Sequence, residues 1–239
     1  MTKKRQGGTG VNMKERTQKL LDYTIRNYIK TAQPVGSSLL VEKAGLNISP
    51  ATIRNELMEL EQNGFLFQPH TSAGRVPTEK GYNFWLENNI KEKEVKKSYK
   101  NSLEKIKGGF KKDNERLIKE VAKEVSEITK SAIIIGFSNQ DVYYTGISNL
   151  FSQPEFRKYE LIYTISEVVD DIEGILPKLF SEAREETSVL VGSANPFSPE
   201  CSIMISNISQ NHLFTLLGPI RMDYEENRAV IKYLKELIH

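Results

Sequence analysis

The stretch Ser-Pro-Ala-Thr-Ile-Arg-Asn-Glu-Leu-Met, residues 49–58, holds a set of side chains suited to reading the edges of base pairs. Arg54 can donate twice to guanine O6 and N7. Asn55 can pair with adenine N6 and N7, and Thr52 can meet a phosphate or a thymine methyl. Ala51 and Met58 share the outward face and supply apolar contact. Ser49 suits a helix N-cap, and Pro50 fits the first helical position, where a missing N–H costs nothing. A helix start ordinarily favours acids for its dipole. Here none occurs before Glu56, as a surface facing phosphates requires. A second set follows in Pro-His-Thr-Ser-Ala-Gly-Arg, residues 69–75. His70 and Arg75 offer charge and N–H donors, and Thr71 and Ser72 offer hydroxyls for a sugar-phosphate backbone. Ser37 joins these as a further candidate DNA contact.

Both sets need a scaffold. Leu20, Leu21, Thr24, Ile25, Tyr28 and Ile29 recur at spacings of three and four, which predicts a first helix over residues 14–30. Pro34 and Gly36 break it, and Ser37 or Ser38 is placed to cap a short second helix that Gly45 ends. Ile53, Leu57 and Leu60 face inward on the third helix, which Gly64 closes. Three short helices with tight connections form a helix-turn-helix unit, whose last helix enters the major groove by its N-terminus. Phe-Leu-Phe-Gln at 65–68, the turn at 69–75 and Val-Pro-Thr at 76–78 predict a hairpin, a wing behind the reading helix. Gly74 is expected to permit the tight turn. Thr78 caps a fourth helix whose Tyr82, Trp85 and Leu86 cover the core.

Charge is distributed unevenly. Residues 1–90 carry 12 Lys and Arg against 8 Asp and Glu, residues 91–130 carry 13 against 8, and residues 131–239 carry 8 against 15. A basic first half suits a polyanion, although a solvated helix face accounts for part of it. A single Cys201 and three scattered histidines make a cysteine-rich or paired-histidine metal site unattainable. Asp170, Asp171 and Glu173 fit a helix start better than a metal. No metal, cofactor or catalytic set is expected: there is no Gly-x-Ser-x-Gly, no His-Glu-x-x-His and no paired cysteine. The protein is therefore read as no enzyme. With no apolar run long enough for a membrane span and no secretory leader after the basic start, it is read as cytoplasmic.

In the middle of the chain, Tyr99, Leu103, Ile106 and Phe110, then Ile118, Val121, Val125, Ile128 and Ala132, form a weak seam of heptad type broken at Gly108 and Gly109. It predicts two helices, read either as a linker that dimerises or as an amphipathic pair packed on its own domain. Strands are expected at 132–137, 142–147, 188–194, 201–208 and 212–222. Helices are expected at 154–168, 171–186 and 224–238. The fold class is α+β.

Three blocks carry more than pattern. Pro-Val-Gly-Ser-Ser-Leu-Leu (34–40) with the continuous string from Ser49 to Tyr82, then Asn-Leu-Phe-Ser-Gln-Pro-Glu-Phe (149–156), and Gly-Pro-Ile-Arg-Met-Asp-Tyr (218–224) closely resemble the HrcA-type heat-inducible transcription repressors of bacteria. The resemblance implies an N-terminal winged helix-turn-helix domain joined by a helical linker to a GAF-like α/β domain. It gives a tail at 1–13, a DNA-binding domain at 14–90, linker or dimerisation helices at 91–130 and a regulatory or dimerising domain at 131–239. It further implies a homodimer on an inverted-repeat operator in double-stranded DNA, release on heat stress, and the chaperonin GroEL as a partner. Family members usually carry an inserted region that would fall around Asn139–Val142, so this chain reads as a short form. The competing reading is a winged-helix protein whose second domain senses a small molecule; an RNA-binding winged helix is a third.

Overall fold

The structure is a computed structural model and describes residues 13–43, 49–110, 114–208 and 212–238. The expected flexible tail (save Met13) and the expected helix stop at Gly45 fall outside the described residues. The chain divides between Trp85 and Leu86 into two compact units.

In the first unit, α1 (Glu15–Thr31) buries Thr17, Leu20, Leu21, Thr24 and Ile25, the expected stripe without its last turn. Tyr28 and Ile29 are only half-buried. A left-handed Ala32 ends the helix. Helix α2 (Ser37–Lys43) begins at Ser37 itself. The cap position therefore falls on Gly36, whose carbonyl accepts from Leu40 N–H at 3.4 Å, and not on Ser37 or Ser38 as expected. Helix α3 (Pro50–Gln62) follows, then β1 (Leu66–Phe67), β2 (Val76–Pro77) and α4 (Glu79–Asn88). Strands β1 and β2 pair antiparallel, with Leu66 opposite Pro77 and Phe67 opposite Val76. The core holds Leu20, Ile25, Leu40, Ile53, Leu60, Phe65, Tyr82 and Trp85, all nearly or fully enclosed. Thr78 Oγ1 accepts from Gly81 N–H at 3.1 Å and donates to the Gly64 carbonyl at 2.6 Å, so one hydroxyl caps α4 and ties it to the end of α3.

The second unit is built on an antiparallel five-stranded sheet in the order β4-β3-β7-β6-β5. Its strands are β3 (Ala132–Gly136), β4 (Val142–Thr145), β5 (Ser188–Val191), β6 (Cys201–Asn207) and β7 (Leu213–Pro219). The helices are α5 (Lys97–Gly108), α6 (Asn114–Thr129), α7 (Ile147–Phe151), α8 (Tyr159–Asp170), α9 (Ile172–Glu182) and α10 (Tyr224–Ile238). Alternation along the strands sends Ala132, Ile134, Cys201, Ile203, Ile205, Leu213 and Leu217 into one core with Leu150, Phe156, Ile165, Leu176 and Leu179. The other face carries Ile133, Ile135, Ser202, Met204, Phe214 and Leu216, all buried, and Tyr224 of α10 donates to Ser202 Oγ at 2.9 Å. Both faces are covered, which is why these strands read as continuous apolar runs.

The middle of the chain bears on two of the sequence expectations. The seam at Ile118, Val121 and Val125 is buried, and α6 lies beside β3 and β4 within its own unit. Of the two readings of that seam, the structure adopts packing on the helix's own domain. The described residues of 91–130 lie within the second compact unit. The strand expected at 142–147 stops at Thr145. Gly146 takes φ +78°, and a Cβ there would meet Ser126 Oγ at 1.8 Å. The chain turns at that residue into α7, a five-residue helix that periodicity could not reveal. Cys201 is fully enclosed. Burial, helped by Glu200 and Glu155, pushes its thiol up to about 12, so it stays protonated.

Candidate nucleic-acid interface

Helix α3 starts as its sequence dictates. Ser49 Oγ accepts from Thr52 N–H at 3.1 Å, Pro50 sits in the first turn, and no acid accompanies them. The Ser49 and Thr52 hydroxyls lie 3.0 Å apart, so both first serve the cap. Ile53, Leu57 and Leu60 anchor the helix in the core. The opposite side presents Ala51, Arg54 and Asn55 to solvent with Thr52 half-exposed, and Met58 is 49% exposed despite its size. Among the described residues, neither the Arg54 nor the Asn55 side chain has a hydrogen-bond or ion-pair partner. These are donors and acceptors held on a rigid helix and left to water, the arrangement that groove reading needs.

Glu56, the first acid of the helix, is not on that face. It is 4% exposed, and its carboxylate accepts from Arg16 and from Thr17 Oγ1 of α1. Burial alone would raise its pKa. The hydrogen bonds from Thr17 and Arg16, with the Arg16 charge, outweigh burial and hold it below the usual 4.5. The sequence carried a signal for this: Glu56 lies three residues after Ile53 and four before Leu60, on the apolar stripe. The outward face is thus cleared of acid as far as Met58.

The hairpin loop presents His70, Thr71 and Ser72 to solvent. The Gln68 amide braces it from within, donating to the Thr71 carbonyl at 3.0 Å and the Ala73 carbonyl at 2.8 Å. Arg75 is placed otherwise than expected for a backbone-contacting cation. Its side chain is only 16% exposed, and one terminal nitrogen lies 3.0 Å from Glu61 Oε2 at the end of α3. Its backbone forms an antiparallel bridge with Val35, giving two hydrogen bonds of 2.9 Å. The role of Gly74 also differs in cause. A Cβ there would meet Val35 C at 2.4 Å and Gly36 N at 2.7 Å, so the residue is required by close approach of two backbones and not by its own turn.

These elements enclose a groove of about 460 Å³. Ser37, Arg54, Met58, Thr71, Ser72 and Arg75 are among the residues that line it. Ser37, half-buried at the first position of α2, therefore shares one hollow with the α3 face and the loop. Ser49, Ala51, Thr52, Asn55 and His70 are outside the lining.

In the second unit, two of the sequence blocks that stood out meet. Arg221 Nη2 donates to Gln153 Oε1 at 3.0 Å and to Glu155 Oε2 at 3.1 Å. The contact joins the 149–156 block to the 218–224 block, and nothing in sequence spacing announces it. Asp170, Asp171 and Glu173 do not assemble; among the described residues no group of histidine, cysteine and carboxylate side chains is arranged to hold a metal. No described helix is long and apolar enough to cross a membrane.

Comparison with known proteins covers both units of the chain. Residues 80–227 match the family described as HrcA protein C terminal domain. A heat-inducible transcription repressor HrcA of Acetivibrio thermocellus is 31% identical over 209 residues, covering 87% of this chain and 55% of that protein. The protein of the same name from Carboxydothermus hydrogenoformans is 26% identical over 334 aligned positions, covering 94% and 98%. That alignment is longer than this chain, so a large part of that relative has no counterpart here. The chain spans little more than half the length of the curated relatives it matches, as for the Lachnoclostridium phytofermentans protein at 58%. Among solved structures, a crystal structure of a hypothetical protein at 2.2 Å resolution shares the fold. The TM-score is 0.74 at 18% identity, with 95% and 96% of the two chains covered.

Proposed function

The chain belongs to the HrcA family, and on that premise we propose that it is a repressor of heat-shock genes whose first unit is a winged helix reading duplex DNA. The observation that carries the reading is the outward face of α3: Ala51, Arg54 and Asn55 exposed, the nearest acid turned inward, and the whole face fixed by buried Ile53, Leu57 and Leu60. In this reading α3 enters a major groove. Ser49, Ala51, Thr52, Arg54, Asn55 and Met58 meet base edges or the adjoining phosphates. His70, Thr71 and Ser72 of the hairpin loop and Ser37 of α2 meet the sugar-phosphate backbone.

A single such unit reads too few base pairs for a unique site. Two copies on a two-fold axis read an inverted repeat whose half-site spacing mirrors the dimer. Dimerisation is assigned to the second unit, which in this reading is the GAF-like domain. Repression is exclusion of RNA polymerase, and heat acts by lowering the population of binding-competent dimer. The relatives' printed name, heat-inducible transcription repressor, supports the heat response. A chaperonin of the GroEL class is the proposed partner that maintains the competent state. The protein acts where the DNA is, in the cytoplasm, and no catalytic step is part of the mechanism.

The test is fluorescence anisotropy of the full chain on a duplex carrying an inverted repeat from upstream of a chaperonin operon, against structured RNA and unrelated duplex at equal ionic strength. The reading expects the operator duplex to win by roughly a thousandfold or more over unrelated duplex. Equal binding to RNA and DNA would replace it with an RNA-binding role.

A further inference from the structure

We propose that the Glu61–Arg75 ion pair is a positioning device that sets the distance between the reading face of α3 and the backbone-contacting loop, and that Arg75 itself touches no phosphate. The proposal rests on the DNA-binding reading above and concerns how the same groove is held in shape.

Four observations converge on this pair. Arg75 is 16% exposed and Glu61 34%, with nitrogen and oxygen 3.0 Å apart. The Arg75 Nε is buried and, among the described residues, has no partner, so that edge of the guanidinium faces the molecule while a terminal nitrogen meets Glu61. The backbone of Arg75 is bonded in both directions to Val35, ahead of α2. Gly74 has no room for even a Cβ against that same segment. One residue thus ties the end of α3, the start of α2 and the second hairpin strand together. The groove bounded by Arg54, Met58, Thr71 and Ser72 opens above this knot. The Thr78 bonds to Gly64 and Phe65 fasten the base of the hairpin, whereas the pair ties its loop end to α3.

The sign of the effect separates this role from simple electrostatics. Glu61 is an anion near a surface that binds a polyanion. If charge alone mattered, neutralising it would strengthen binding. A positioning role reverses the expectation, because the loop then loses its fixed distance from α3.

The experiment takes the full chain and a duplex enriched by the wild-type protein from a random-sequence pool. Glu61→Gln is expected to weaken binding roughly threefold to tenfold although a negative charge has gone. Arg75→Gln should weaken it to a similar degree with the salt slope unchanged, whereas loss of a phosphate contact would flatten that slope by about one. The double variant should be no weaker than either single one, since both remove the same tie. Tighter binding by Glu61→Gln, or a flattened slope in Arg75→Gln, overturns the proposal. Amide exchange of residues 70–75 gives a readout independent of DNA. Faster exchange in Glu61→Gln upholds the brace even if the wild type enriches no duplex, a result that would remove the DNA reading by itself. Unchanged exchange overturns the brace with the DNA reading intact.

Discussion

In the first unit, α3 turns Ala51, Arg54 and Asn55 toward solvent with no partner for either polar side chain among the described residues. In the second, Asn195 and Tyr224 are turned inward and engaged. Asn195 is 7% exposed; its amide donates to the carbonyls of Gly192, Ser198 and Cys201, and its Oδ1 accepts from Phe197 N–H at 2.8 Å. Tyr224 is fully buried and its hydroxyl is shared between Ser202 and the Ile220 carbonyl. Buried polar groups that satisfy backbone stabilise a fold and specify its turns. Exposed ones held on a rigid helix contribute little to stability and are available to a ligand. The division teaches that interior polar groups hold the turns of the second unit, whereas the polar side chains of α3 are left to solvent. The candidate reading surface lies wholly in the first unit.

That contrast can be broken by substitutions whose effects should separate stability from binding. The largest loss is expected at Gly146→Ala, where a left-handed backbone and a Cβ facing Ser126 Oγ and the Ser131 carbonyl coincide. About 3 kcal/mol of stability should go, read by chemical denaturation. Next is Glu56→Ala in the first unit, at about 2–3 kcal/mol, below the range for a fully enclosed pair because Arg16 is half-exposed. This loss has a pH signature. The folded carboxyl titrates below the 4.5 of the unfolded chain, so its stabilisation is fully present above that value and fades as pH falls through the depressed folded value. Denaturation midpoints of wild type and variant should therefore stay apart at neutral pH and converge in acid. A constant gap down to the acid limit would contradict the assignment.

Arg54→Ala should leave the melting temperature within a degree or two yet cost about 1–3 kcal/mol in binding and relax selectivity at one base position. A uniform loss over all sequences would make Arg54 a phosphate contact instead. The smallest effect is expected on the surface of the second unit. Tyr159 is 73% exposed and stacks loosely on Tyr163; Tyr159→Ser should change stability by less than about 0.5 kcal/mol and leave operator affinity unaltered in the same titration.

Sequence revealed the parts of this arrangement that are local. Ser49 and Pro50 announce where α3 begins, and the period of Ile53, Leu57 and Leu60 fixes which side is outward. The central strands β3, β6 and β7 were legible because burial on both sheet faces leaves continuous apolar runs. What escaped was long-range. The Val35–Arg75 backbone bridge joins residues forty positions apart, and the pairing of the Arg75 side chain with Glu61 spans fourteen. The Arg221 contact with Gln153 and Glu155 spans 68 and 66 positions. Glu56 was missed for a different reason: a carboxylate on an apolar stripe is read as outward by its chemistry, and only the position of Arg16 and Thr17 on α1 makes the inward placement favourable.

The central claim is that the outward face of α3 reads base edges in the major groove. It is tested most directly by a guanine-N7 methylation interference footprint of the full chain on an inverted repeat enriched by the wild type. Two symmetric clusters of interfering guanines, separated by a whole number of helical turns, with one guanine in each cluster losing its effect in Arg54→Ala, would agree with the account. Binding insensitive to N7 methylation throughout the site, with contacts to phosphates alone, would contradict it.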